Sequence, residues 1–285
     1  MRVSDGVGGW YTPAMRHFTD KDVPIGFADS SVFDPATLRQ MKNEKYRFFG
    51  AMSKDTADIM KLKKTVVIGG AYDPTILQYP RLSIREALKL PEGKIVYING
   101  TNYPFRRGVD LALQAVIKLQ NEGYEIIPVL REWNQVRLPP EFTPKNLFQL
   151  IGLVSPEEHY GYMKDIDVML APVRGGGFEL QILEAFVLGR QVVMPDKGAW
   201  TDIPLSPADV HYCKAGQRNF PIIGSDYDEK GYHSGYMYAG NVDSVTQALR
   251  DALNHPVNME ERAKEYQKHY HPDRFAERIL AGWNR

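Results

Sequence analysis

The run Arg174-Gly175-Gly176-Gly177-Phe178-Glu179 separates a short Ile/Val/Leu-rich segment from a helix-like one, and Glu184 falls in that helix's second turn. Consecutive glycines let a backbone approach a ligand closely and turn successive N–H groups towards it. The positive end of the following helix adds to this, so the segment reads as a diphosphate site. Glu184 stands within reach of a hydroxyl pair on a ribose beyond that diphosphate. The same residues also fit a plain glycine turn followed by a solvated glutamate. A second signal is Gly100 to Gly108, which carries Arg106 and Arg107. An arginine fork suits phosphate oxygens because it donates two parallel hydrogen bonds. From spacing alone, a surface basic pair is the alternative.

These segments need a frame that brings them together. The apolar runs Lys94–Ile98, Glu125–Leu130, Leu147–Ile151, Val168–Ala171 and Gln191–Met194 lack strict alternation, as strands buried on both faces do. Between them lie Gly108–Gln120, Pro156–Lys164 and Glu179–Leu188. The first of these aligns Val109, Leu113, Val116 and Ile117 on one helical stripe. Such alternation predicts a doubly wound parallel sheet, with ligands at the carboxyl ends of its strands. Upstream, Val23–Ala28 and Thr65–Ile68 read as strands, and Ser53–Leu62 as a helix that Ser53 caps. Gly69-Gly70 before Asp73-Pro74 marks a turn and hinge. Residues 205–235 read as a long loop or insertion. The tail is helical over Val242–Leu253, Met259–His269 and Pro272–Trp283, broken at His271-Pro272.

Composition narrows the classes. Of 285 residues, 35 are Lys or Arg and 35 are Asp or Glu, which argues against a general electrostatic grip on nucleic acid. Cys213 is the single cysteine, so an intramolecular disulfide and a cysteine-rich zinc site are excluded, and the thiol reads as half-buried. The first residues resemble no secretion signal, and no apolar run approaches the roughly 20 residues of a membrane span. The expectation is a cytoplasmic enzyme, with peripheral membrane contact left open.

The order of segments resembles the carboxyl-terminal half of the "group 1" retaining glycosyltransferases of the GT-B fold. Ile98-Asn99-Gly100 and Arg107-Gly108-Val109-Asp110 match that family's first donor-site strand and turn, with Arg107 in a lysine's place. Asn146–Val154 resembles the strand and glycine beside the nucleotide base, and Asp167–Pro172 the strand into the donor loop. Gly177-Phe178-Glu179-Leu180 and Leu183-Glu184-Ala185 match the loop and its helix. Gly189–Val193, Gly198–Asp202, Ser234–Val245 and Asp273–Arg278 continue the pattern, so the resemblance covers about residues 65–285. It implies a Rossmann-type sheet in a carboxyl-terminal domain plus a reduced amino-terminal α/β domain. The divisions would be 1–90 on the acceptor side, 91–270 for the donor, and 271–285 crossing back.

That resemblance implies a metal-independent, retaining transfer of a sugar from a UDP- or GDP-sugar, without a cofactor, to a glycan, lipid or protein. Glu184 would bind the ribose. Gly175, Gly176 and Gly177, with the amides around Phe178, Glu179 and Leu180, would hold the diphosphate and sugar. Arg107 would neutralise the leaving phosphate, with Gly100, Thr101 and Arg106 beside it. His17 is the available match for a first-domain histidine near the sugar. His211 and His233 lie in the 205–235 stretch and could approach the crevice, while the remaining histidines read as solvated. Trp10, Trp133, Trp200 and Trp283 read as packing residues, with Trp200 also placed to line a sugar pocket. Two positions depart from the family. Gly176 stands where a glutamate usually precedes Glu184 by eight positions, and Thr101 replaces an arginine. Arg106 and Glu179 are the substitutes at hand; the other reading is a nucleotide-sugar-binding protein or subunit without catalysis. The short first domain leaves room for a homo-oligomer or partner subunit.

Overall fold

The computed structural model describes residues 25–28, 48–60, 65–101, 104–135, 137–176, 178–219 and 237–283. His17, Gly177 and His233 lie outside the described residues. The described chain begins with strands β1 (Ile25–Ala28) and β2 (Phe48–Ala51), helix α1 (Lys54–Met60) and strand β3 (Thr65–Val67). These strands form a parallel three-stranded sheet in the order β1-β2-β3. The cap expected at Ser53 is present, its Oγ accepting from Thr56 N at 3.1 Å.

The second part contains α2 (Ile84–Ala87), β4 (Lys94–Asn99), α3 (Pro104–Arg107), α4 (Val109–Asn121), β5 (Ile126–Glu132), β6 (Phe148–Ile151), α5 (Pro156–Met163), β7 (Val168–Leu170), α6 (Leu180–Val187) and β8 (Gln191–Pro195). Then follow β9 (His211–Cys213), β10 (Arg218–Asn219), β11 (Met237–Tyr238), α7 (Val242–Asn254), α8 (Met259–His269) and α9 (Pro272–Trp283). Six parallel strands run in the order β6-β5-β4-β7-β8-β9, the doubly wound arrangement expected.

Side chains alternate across this sheet into two cores. Tyr97, Val129, Met169 and Val192 face one way, towards Leu183 and Phe186 of α6 and Tyr266 of α8. Val96, Leu130, Leu170 and Val193 face the other, towards Leu113 and Val116 of α4 and Leu249 of α7. Each fully buried Leu, Ile or Val side chain contributes about 1.5–3 kcal/mol. The helices are therefore held firmly, and with them the turns at their amino ends.

Four readings of the sequence are corrected. The stretch 205–235 is not one long loop: its described part contributes the edge strand β9 and half of the β10–β11 ladder. Cys213 is not half-buried but 2% exposed, and burial pushes its thiol up to about 12. Trp200 is fully buried, with Nε1 donating to Pro195 O at 3.0 Å, so it is a packing residue rather than an exposed sugar-facing one. His211 is the first residue of β9, near Asp251 of α7 and His255 just beyond that helix, and so stands at the opposite end of the sheet from the strand carboxyl ends.

Helix α9 packs back on the first sheet. Ile279 and Phe275 meet Ile68, Val66 and Met52. Arg278 donates Nε to Ile68 O at 2.5 Å and Nη2 to Gly70 O at 3.0 Å, tying α9 to the segment that follows β3.

Candidate functional site

The carboxyl ends of β4 and β7 bring the two basic and glycine-rich turns together. Arg174 N donates to Arg106 O at 2.8 Å. The Arg174 guanidinium forks onto Asp110, both contacts 2.7 Å, donates to Phe105 O at 2.6 Å, and stacks on the Phe105 ring at 4.2 Å. This part-buried bidentate pair staples the glycine loop to the 104–110 turn. Nothing in the local sequence announces it, since the partners lie far apart along the chain.

Arg107 turns inward and pairs with the buried carboxylate of Glu179, which also accepts from Gln181 Nε2 at 3.2 Å. Gly175 and Gly176 are buried beside this pair. A Cβ at residue 176 would overlap Glu179 Oε1, so glycine is required there by close approach rather than by an unusual dihedral. Glu179 therefore fills from three residues downstream the space that a side chain at 176 would enter.

Phe178 and Leu180 point elsewhere. The Phe178 ring covers Gly70 and lies 6.4 Å from Tyr270, while Leu180 is half exposed on the first turn of α6. Thr101 is held locally, its N and Oγ1 donating to Asn99 Oδ1 at 3.1 and 2.6 Å.

Glu184 is not the solvated glutamate of the plain alternative. Burial raises its pKa, against which the Tyr160 hydrogen bond and the Arg131 charge act, while Asp73 adds a like-charge push upward. Tyr160 Oη donates to Oε1 at 2.8 Å. Tyr160 is itself fixed by stacking on Tyr79 at 6.1 Å and by the capping box of α5. In that box, Ser155 Oγ accepts from Glu158 N at 3.1 Å and Ser155 N donates to Glu158 Oε2 at 3.0 Å.

Three residues around Glu184 escape a reading of the sequence. Tyr160 carries no motif. Arg131 on β5 and His159 on α5 form a contact, Nη1 against Nδ1. Because a guanidinium only donates, the His159 proton belongs on Nε2. His159 is part-buried rather than solvated, and burial together with the Arg131 charge lowers its pKa to about 3. A histidine with a depressed folded pKa leaves stability intact above its unfolded value near 6.5 and loses it as pH falls through that window. Each pH unit there costs at most about 1.4 kcal/mol. His159→Gln should accordingly flatten the fall in melting temperature between pH 6.5 and 4. Parallel pH profiles for the two proteins would contradict this.

The described residues contain no group of three or more His, Cys, Asp or Glu placed to hold a metal, and no helix long and apolar enough to cross a membrane.

Comparison with known proteins decides the class. No family model matches the chain. It is 30% identical over 276 residues to "Putative glycosyltransferase 45" of Sulfolobus islandicus filamentous virus (isolate Iceland/Hveragerdi), covering 92% of this chain and 74% of that one. The chain belongs to the glycosyltransferases. Its fold is GT-B. The glycosyltransferase superposes on sucrose-phosphate synthase from Thermosynechococcus elongatus with a TM-score of 0.70 at 13% identity, over 96% of this chain and 69% of the other. A mutant of TarM from S. aureus, solved with Fondaparinux, alpha-GlcNAc-glycerol and UDP, gives 0.64 at 15% identity, over 96% and 53%.

Proposed function

We propose that this glycosyltransferase is a retaining enzyme that takes its sugar from a nucleotide-diphosphate donor lying across the carboxyl ends of β4 and β7. The observation that carries the reading is that a part-buried Glu184, a part-buried Arg107 held by Glu179, and the close-packed Gly175-Gly176 backbone all stand on the turns and helix that follow β4 and β7. Glu184 would accept from the ribose hydroxyls. The glycine amides and the amino end of α6 would face the diphosphate.

Breaking the bond between the sugar C1 and the phosphate oxygen leaves its electron pair on the diphosphate. Fixed positive groups beside that oxygen stabilise the charge as it develops. Arg107 fills this role, and its pairing with Glu179 orients it before the donor arrives. Glu179 then faces the sugar side of the loop through the space left by Gly176. The acceptor hydroxyl would enter on the face from which the diphosphate departs, its oxygen bonding to C1 while its proton passes to the departing phosphate oxygen, so the anomeric configuration is kept without a protein nucleophile or a metal. The UDP bound to TarM supports a nucleotide donor on this fold.

Incubation with a panel of UDP- and GDP-sugars, followed by proton NMR of the anomeric region, tests this. Donor consumption giving a product of unchanged anomeric configuration is the expected outcome. Inversion would overturn the retaining mechanism, and saturable binding without turnover would make the chain a binding subunit.

A further inference from the structure

The two carboxyl oxygens of Glu184 meet different surroundings. Oε1 accepts from Tyr160 Oη at 2.8 Å. Oε2 accepts from none of the described residues, yet it is not among the enclosed polar atoms, so it opens to solvent. The last torsion of a glutamate is broad and two-fold, and a carboxylate in solvent exchanges its oxygens freely. The Tyr160 hydroxyl stops that exchange, and Tyr160 is itself held in place. Its ring lies parallel to that of Tyr79, with 2° between the planes. The segment carrying Tyr79 is tied along α5: Leu82 N donates to Gly161 O at 3.2 Å, Lys164 Nζ donates to Tyr79 O, and Arg81 pairs with Asp165 at 2.7 Å. A Cβ at Gly161 would meet Leu82 Cγ at 2.7 Å, so the helix backbone beside Tyr160 lies directly against this segment. Packing needs only the Tyr160 ring, whereas its hydroxyl has Glu184 as its partner.

We infer that Tyr160 is a positioning residue for donor recognition: it holds Oε1 of Glu184 so that Oε2 faces the ribose hydroxyls, and the segment 77–84 holds Tyr160. This rests on the proposed donor site, in which Glu184 accepts from the ribose. An acceptor whose orientation is fixed beforehand binds more tightly, because no rotamer freedom is lost when the ligand arrives. The same hydrogen bond favours the ionised carboxylate. Burial and the like charge of Asp73, ahead of the 74–77 turn, push the Glu184 carboxyl up, while Tyr160 and the Arg131 guanidinium on β5 draw it down. Protonation turns one acceptor oxygen into a donor. A Glu184 without the Tyr160 hydroxyl therefore loses the ribose at a higher pH than the wild type does.

Calorimetric titration of the wild type and Tyr160→Phe with UDP, GDP and their 2′,3′-dideoxy forms tests the assignment. The wild type should prefer the ribonucleotide about 10²-fold. In Tyr160→Phe that preference should fall about tenfold, and the pH at which ribonucleotide binding is half lost should move up. Tyr79→Ala keeps the hydroxyl but removes the ring beside it, and should lower the preference in the same direction. An unchanged preference in Tyr160→Phe, with all forms weakened alike, makes Tyr160 a packing residue and overturns the inference while leaving the ribose reading standing. A wild type that binds ribose and dideoxy forms equally, or binds neither, removes the ribose reading and this inference with it. If Tyr160→Phe does not fold, the same ratio in Tyr79→Ala decides.

Discussion

Arg107→Ala will lower the transfer rate at saturating donor by about 10²–10³, the usual loss when one preorganised group facing a developing oxyanion is removed. The same substitution will also destabilise the fold, because it strands the Glu179 carboxylate, which is 4% exposed in the pair. Breaking a buried ion pair from one side costs about 3–5 kcal/mol. The two effects separate in a second variant. Arg107→Ala with Glu179→Gln removes both charges and should recover most of the melting temperature while leaving the rate low. Recovery of the rate along with stability would show that Arg107 acts only as a structural partner of Glu179. Arg107→Lys keeps the charge but loses the fork, and should fall between the two.

Glu184→Ala has the opposite profile. Hydrogen bonds to a charged group contribute about 1.5–3 kcal/mol each, so losing the ribose contacts should weaken donor binding about 10²-fold. Stability should hold, because Glu184 is held in the folded protein at a raised pKa by burial. A group of that kind favours the folded state less as pH rises past its unfolded value, so removing it relieves a cost at neutral pH. The truncation does leave Tyr160 without its acceptor, which offsets part of this gain. Binding lost with melting temperature kept is the signature of a residue retained for a ligand.

The sequence makes the central sheet legible because its strands are buried on both faces. The apolar runs Glu125–Leu130 and Gln191–Met194 overlap the strands Ile126–Glu132 and Gln191–Pro195 for that reason, and α8 and α9 match their expected bounds residue for residue. Edge and short strands were harder. His211–Cys213 pairs on one side only and exposes Tyr212, so it has no apolar run to show. Phe48–Ala51 is four residues long and contains a glycine.

The site divides in the same way. Its glycines and Glu184 lie on local motifs between strand and helix and could be named from spacing, whereas Arg107 is told apart from Arg106 only by the family resemblance. The partners around them come from other elements: Tyr160 from α5, Arg131 from β5 with His159 against it, and Asp110 opposite Arg174. Such pairings depend on strand order, which local periodicity does not encode. The pairing of Glu179 with Arg107 is the instructive case. The sequence showed that position 176 lacks an acid, and only the packing showed a neighbouring acid filling that space.

The central claim is that Glu184 anchors a nucleotide donor in the strand-end crevice. Its most direct test is a pair of calorimetric titrations, of the wild type and of Glu184→Ala, with whichever of GDP and UDP the wild type binds more tightly. One saturable site in the wild type, and binding about 10²-fold weaker in the variant at an unchanged melting temperature, is the predicted result. Equal affinity in the two proteins would contradict it.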